Sequence, residues 1–231
     1  MENIIEITKS DGTKYSVRKD RHRYFFPKEW VKFIATVKNP KHNLMFNTLL
    51  HTGARIMEGL HLRPCDFDFE RKTVSLKVIK QRKAKKSYSG ISTSRTFFVS
   101  PKYLRQVKAY INKNKIKQNQ YLFLNNETLP PNYVDLSNLE KKPYYFSNIV
   151  AYNQLFKRKL KEAGIKDPHN FSLHNIRKTN GNYLRVLNIR MEELCYRLGH
   201  DYKTYQTHYG SNLIFTDTER MKIQEILGDV R

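Results

Sequence analysis

From Ser147 to the C-terminus the apolar residues recur at helical spacing with no run of strict alternation, which commits the last third of the chain to helices. The punctuation agrees: Gly164 reads as a helix end, Ser172 as the N-cap of "LHNIRKTNGNYLRV", and "TDTE", Thr216 to Glu219, as a capping box that opens a final helix. Upstream, Trp30, Phe33, Ile34 and Val37 predict a helix from Pro27 that Asn39-Pro40 ends, and Leu44, Met45, Leu49 and Leu50 predict a second. A turn at "TGAR" leads to a short helix that Pro64 stops, and Ser100-Pro101 starts another carrying Leu104, Val107 and Ile111. Strand signals are few: "TVSLKVI" (Thr73 to Ile79), "RTFFV" (Arg95 to Val99), and a hairpin over residues 4 to 18 around "SDGT". The expected fold is therefore α+β, mainly α, with a small antiparallel sheet. Residues 1–23 read as an N-terminal hairpin or extension and 24–231 as one domain. An irregular insertion rich in Asn and Pro spans about 112–143, either a surface loop or a contact for a partner, and the C-terminal helix spans 216–227.

Charge narrows the partners. The 43 Lys+Arg against 21 Asp+Glu leave a formal charge of +22, a field that attracts polyanions. Between Glu70 and Glu127 there is no acid at all, while Lys and Arg occur fifteen times, as expected of a phosphate-facing surface. No run of about 18 apolar residues exists, so no membrane partner is expected. Cys65 and Cys195 lie far apart, without the spacing of a zinc site or the density of a disulfide scaffold. The acidic start "MENIIEITKSDG" lacks the basic and apolar regions of a signal peptide. These features predict a reduced protein of the cytoplasm, associated with the nucleoid.

Cutting a DNA backbone without metal needs three things: cations for the charge on a phosphorane-like state, a nucleophile, and a proton for the leaving oxygen. Arginine suits the first because its planar guanidinium pairs with two phosphate oxygens and stays charged. A tyrosine can attack if its phenol is helped to ionise, and histidine or lysine can move protons. The chain offers Arg55 at the start of a helix with Glu58 one turn on, His174 and Arg177 on one helical face in "HNIR", and His200 after a helix end in "LGH". Of Tyr202, Tyr205 and Tyr209 in "DYKTYQTHY", Tyr205 and Tyr209 share a face by their i, i+4 spacing, so either could be the nucleophile.

In this order and at these intervals, "TGARIMEGL", "HNIR" and "LGHDYKTYQTHY" resemble the catalytic domain of the tyrosine recombinases, or phage integrases, over about residues 24–210. The resemblance implies that Arg55 and Arg177 clamp the scissile phosphate, that His174 and His200 handle charge and protons, and that Tyr209 attacks. It also implies a lysine on the hairpin after Arg55: Lys83 is the choice by its distance, with Lys80, Lys85 and Lys86 as alternatives in "VIKQRKAKK". The activity it implies is cleavage and rejoining of double-stranded DNA through a 3′-phosphotyrosyl bond, with no metal, ATP or other cofactor. The protein would act as a homotetramer on DNA, monomer or dimer in solution, and the final helix would dock on a neighbour. Such proteins usually carry a separate helical domain before the catalytic one, and only about two dozen residues precede it here. A type IB topoisomerase would share the chemistry, but those resemble K-x-x-R where this chain has "HNIR". A DNA-binding protein without catalysis would not need all the catalytic positions filled.

Overall fold

The computed structural model describes residues 4–8, 12, 14–18, 24–77, 94–209 and 215–230, without the side chains of 4–7, 15–18, 138 and 206–209. A hairpin of β1 (Ile4–Thr8) and β2 (Lys14–Arg18) pairs antiparallel with Gly12 at φ +83° in the turn. Its left-handed backbone is what the Asp-Gly step anticipates. Then come α1 (Pro27–Thr36), α2 (Pro40–Thr52) and α3 (Ile56–Leu60), a sheet of β3 (Phe67–Asp68), β4 (Thr73–Lys77) and β5 (Ser94–Phe98), and α4 (Pro101–Asn114). The remainder is helical: α5 (Asn138–Glu162), α6 (Leu173–Val186), α7 (Met191–Leu198), α8 (Tyr202–Tyr209) and α9 (Asp217–Leu227). Among the described residues the sheet order is β3-β4-β5, antiparallel throughout, so the expected mainly α fold with a small antiparallel sheet is the observed one.

The core is aromatic. Phe25, Trp30, Phe33, Phe46, Phe156 and Phe171 pack with ring centroids 4.7 to 6.1 Å apart, joining α1, α2, α5 and the segment before α6. Each such pair contributes about 0.5–1.5 kcal/mol beyond its area. Helix α6 is buried along almost its whole length and is bolted across the fold. Thr179 Oγ1 accepts from Phe25 N–H at 3.0 Å, Tyr183 donates to Phe25 O at 3.1 Å, and Asn180 Nδ2 donates to Leu50 O at 2.6 Å.

Three expectations need correction. The segment read as an irregular insertion is not a surface loop throughout: Tyr121, Leu122, Phe123 and Leu124 are buried, and Leu122 N–H donates to Leu62 O at 2.9 Å. His61 ties it further, with Nε2 2.8 Å from the Tyr133 hydroxyl and the two rings stacked. Four consecutive apolar residues cannot stay in water without cost, and here they close the far side of α3. Helix α5 starts at Asn138, nine residues before Ser147, with Ser137 as N-cap and Glu140 completing a capping box. Pro143 sits within the helix and hid that start from pattern reading. Finally, the apolar side of α9, expected to face a neighbour, is buried in its own chain. Ile223, Leu227 and Val230 are covered, Phe215 packs on Tyr24, Phe26 and Tyr183, and Lys102 donates to the Glu225 carbonyl at 2.5 Å.

Candidate active site

Helix α2 ends at Gly53, whose φ of +62° is the left-handed C-cap conformation. A Cβ there would lie 2.5 Å from Asn180 Oδ1 and 2.8 Å from Leu198 Cδ2, so only glycine lets α2, α6 and α7 meet so closely. The turn delivers Arg55 to the N-cap of α3. Glu58, three residues on, reaches back: Oε2 accepts from the Arg55 backbone N–H at 2.8 Å and Oε1 from Arg55 Nη1 at 3.0 Å. The carboxylate itself is buried, while a third of the Arg55 side chain stays exposed to meet a ligand.

Arg177 rises from α6 into the same pocket, 1% exposed. Its Nη1 donates to Gly53 O and its Nη2 to Leu198 O, the carbonyls at the C-terminal ends of α2 and α7. Those carbonyls carry the negative ends of two helix dipoles and suit a buried guanidinium. Nη2 also lies 3.1 Å from His200 Nε2, and Nη1 lies 4.0 Å from Glu58 Oε2. His200 follows Gly199, the left-handed C-cap of α7 at φ +56°, so the helix end turns the imidazole toward Arg177. Burial and the charges of Arg177, Arg55, His174 and Arg95 push its pKa down to about 3, which leaves the ring neutral at physiological pH. Donation from Arg177 then makes Nε2 the unprotonated nitrogen. His174 is exposed at the start of α6 and close enough to weigh on His200. Ser172 and Asn175 cap that helix, with Asn175 Oδ1 accepting from the Ser172 N–H at 2.6 Å and hydroxyl at 2.8 Å.

Arg55 and Arg177 thus meet at Glu58, with His200 against Arg177 and His174 near enough to act on His200. Tyr209 is the last residue of α8, and its side chain lies outside the described residues, as do Lys80, Lys83, Lys85 and Lys86. Tyr205 is fully buried, and its hydroxyl donates to Gly181 O at 3.3 Å. That is a packing role. Tyr202 is more than half exposed, on the first residue of α8.

Sequence reasoning missed Arg95. It is buried on β5, and its Nη2 donates to Glu58 Oε2 at 2.9 Å. The signal was present, because alternation along β5 puts Arg95 on the same inward face as Phe97, where a charge needs a partner. Among the described residues the pocket therefore holds three guanidiniums, Arg55, Arg95 and Arg177, against one carboxylate, a surplus of two positive charges. No group of three or more His, Cys, Asp or Glu among the described residues is placed to hold a metal ion. No described helix is long and apolar enough to cross a membrane.

Residues 23–213 match the phage integrase family. Among solved structures, the fold is similar to XerA recombinase, at 16% identity over 88% of this chain and 64% of that one, with a TM-score of 0.58. It is similar also to the Tn1549 transposon integrase in complex with transposon right end DNA, at 19% identity over 90% of this chain and 66% of that one, TM-score 0.58. The integrase from mycobacterium phage Brujita matches at 12% identity over 93% of this chain and 62% of that one, TM-score 0.54. The chain thus spans less than two thirds of the length of each of these structures. No curated protein matches it.

Proposed function

Because the chain belongs to the phage integrase family, we propose that it is a site-specific DNA recombinase that cuts and rejoins double-stranded DNA through a 3′-phosphotyrosyl bond on Tyr209. In this reading residues 24–231 are the catalytic domain. The observation that carries it is the convergence of Arg55, Arg95 and Arg177 on one buried carboxylate, with His200 against Arg177 and a surplus of two positive charges. A phosphodiester brings one negative charge, and the phosphorane formed by attack carries two. The pocket is matched to the second state, and the selective stabilisation of that state is what lowers the barrier.

Arg55, partly exposed, and the Arg177 guanidinium grip the non-bridging oxygens. The Tyr209 phenol gives up its proton as its oxygen bonds to phosphorus; the bond from phosphorus to the 5′ oxygen breaks; the leaving oxygen takes a proton. Lys83 is the proposed donor of that proton, with Lys80, Lys85 and Lys86 the alternatives, and His174 and His200 share the proton handling. Attack by a 5′ hydroxyl reverses the steps, so neither ATP nor metal is consumed. Helix α8 starts two residues after His200 and carries the Tyr209 backbone about 10 Å along its axis. The Tn1549 transposon integrase is described in complex with transposon end DNA and XerH recombinase with its difH substrate, which supports double-stranded DNA as the partner here. A homotetramer assembled on two DNA sites completes the reading.

The test is to incubate the protein with supercoiled plasmid and with nicked duplexes in EDTA, quench with detergent, and locate the DNA-linked peptide by mass spectrometry. The expected adduct is on Tyr209, lost in Tyr209→Phe and kept in Tyr205→Phe. An adduct that survives Tyr209→Phe, or none on any substrate, overturns the reading.

A further inference from the structure

Arg95 stands outside the segments "TGARIMEGL", "HNIR" and "LGHDYKTYQTHY", yet it is paired with the pocket's buried carboxylate. Its side chain is 7% exposed, and its Nη2 and the Arg55 backbone N–H share Glu58 Oε2, at 2.9 and 2.8 Å. On its other side the guanidinium lies against Gly199. A Cβ built on that glycine would fall 2.0 Å from Arg95 Nη1, 3.2 Å from Cζ and 3.4 Å from Cδ. The residue next to Gly199 is His200. One flat cation on β5 is therefore wedged between the carboxylate that sets Arg55 and the helix end that sets His200.

We propose that Arg95 is a positioning residue for strand cleavage, acting through Glu58 on Arg55 and through Gly199 on His200; this rests on the recombinase reading. Two features of the geometry say what it does. First, Arg95 fills the lone pair of Oε2 that Arg177 Nη1, 4.0 Å away, would otherwise take, so Arg177 stays anchored to the Gly53 and Leu198 carbonyls and beside His200. Glu58 then orients Arg55 without drawing Arg177 out of place. Second, Arg95 supplies one of the three positive charges, and without it the surplus falls from two to one, the charge of the ground-state phosphate and not of the transition state. Its guanidinium is taken up by Glu58 on one side and Gly199 on the other, so it acts on the phosphate through Arg55 and His200. Only an arginine meets both neighbours at once, because its fork is planar and fixed.

The experiment measures DNA affinity and the single-turnover rate of Tyr209 adduct formation for the native chain and for Arg95→Gln, Arg95→Lys and Arg95→Ala, with melting curves for each. The expected result is a loss of about 100-fold in the rate at saturating DNA for Arg95→Gln, the scale at which small misplacement of a catalytic group is felt. DNA affinity should stay within about threefold, since many surface phosphate contacts set it. Arg95→Lys should fall between, and methylguanidinium should restore part of the Arg95→Ala rate by refilling the space. The double variant with Glu58→Gln should lose less than the product of the two single losses, because the two residues share one contact, while the route through Gly199 remains Arg95's own. If Arg95→Ala does not fold, Arg95→Lys and Arg95→Gln decide. Rates per folded molecule equal to native in these variants overturn the inference while leaving the recombinase reading intact. Absence of an adduct in the native chain overturns both.

Discussion

At Glu58 a single buried carboxylate is hydrogen-bonded to two guanidiniums and stands 4.0 Å from a third. Removing it leaves buried cations uncompensated, and Glu58→Ala is expected to lower stability by about 3–5 kcal/mol, read by urea denaturation. Milder loss in Glu58→Gln should still be accompanied by slow cleavage, because the amide has one accepting oxygen and turns an NH2 donor toward the guanidiniums. A change of less than about 1 kcal/mol in Glu58→Ala would mean that solvent reaches the cluster. A second residue argues through pH. His51 is buried, stacked on Tyr103 with ring centroids 4.9 Å apart, and burial with the Lys102 charge pushes its pKa down to about 3. The unfolded chain takes up that proton near pH 6.5. Between those values the unfolded state binds more protons, so stability declines as pH falls through this window, by up to about 1.4 kcal/mol per pH unit. His200, depressed for the same reason but only partly buried, adds a smaller share. In His51→Phe, which keeps the stack, the slope of urea midpoint against pH between 6 and 4 should flatten; an unchanged slope rules His51 out as its source.

Helix α9 is held by its own chain on two sides. Ile223 and Leu227 fill the apolar side, and beyond the helix end the Val230 carbonyl meets Arg197, which Glu193 holds at 2.9 and 2.5 Å beneath the Phe97 ring. Ile223→Ala should cost about 2–5 kcal/mol by opening a cavity. Limited proteolysis should then cut near residues 215–230 before the rest of the domain; uniform cleavage along the chain would show that α9 does not come away as a unit. Legibility differed among elements for physical reasons. Ser100, Ser172, Thr216, Gly164 and Gly199 mark helix ends through local hydrogen bonds and backbone conformation, so they could be read from the residues alone. Arg55, His174, Arg177 and His200 were legible from their order and spacing. What could not be read depends on contacts distant in sequence. Nothing local says that Tyr121 to Leu124 face inward, that Pro143 is tolerated in α5, or that α9 turns back on its own domain. Arg95 lay between these cases: its inward place followed from alternation, but its partner is 37 residues away.

For the whole molecule, the formal charge of +22 would make the proposed DNA binding chiefly a matter of displaced counterions. Affinity is expected to fall by about 10³–10⁵ between 50 and 200 mM salt if 6–10 phosphates are contacted, measured as log Kobs against log salt. A flat dependence would assign binding to base contacts instead. The pocket is also built from contacts far apart in the chain: Arg177 is anchored by Gly53, 124 residues before it, and by Leu198, 21 after it. On the ribosome this separation becomes a delay. About 150 residues separate Gly53 from His200, which at ~5–20 residues per second is roughly 10–30 s of synthesis. The acid-free basic stretch between Glu70 and Glu127 is made within that interval, before the pocket has its last wall. On the recombinase reading, a polypeptide released early would bind DNA without cutting it, and the capacity to break a strand would arrive only with the final helices.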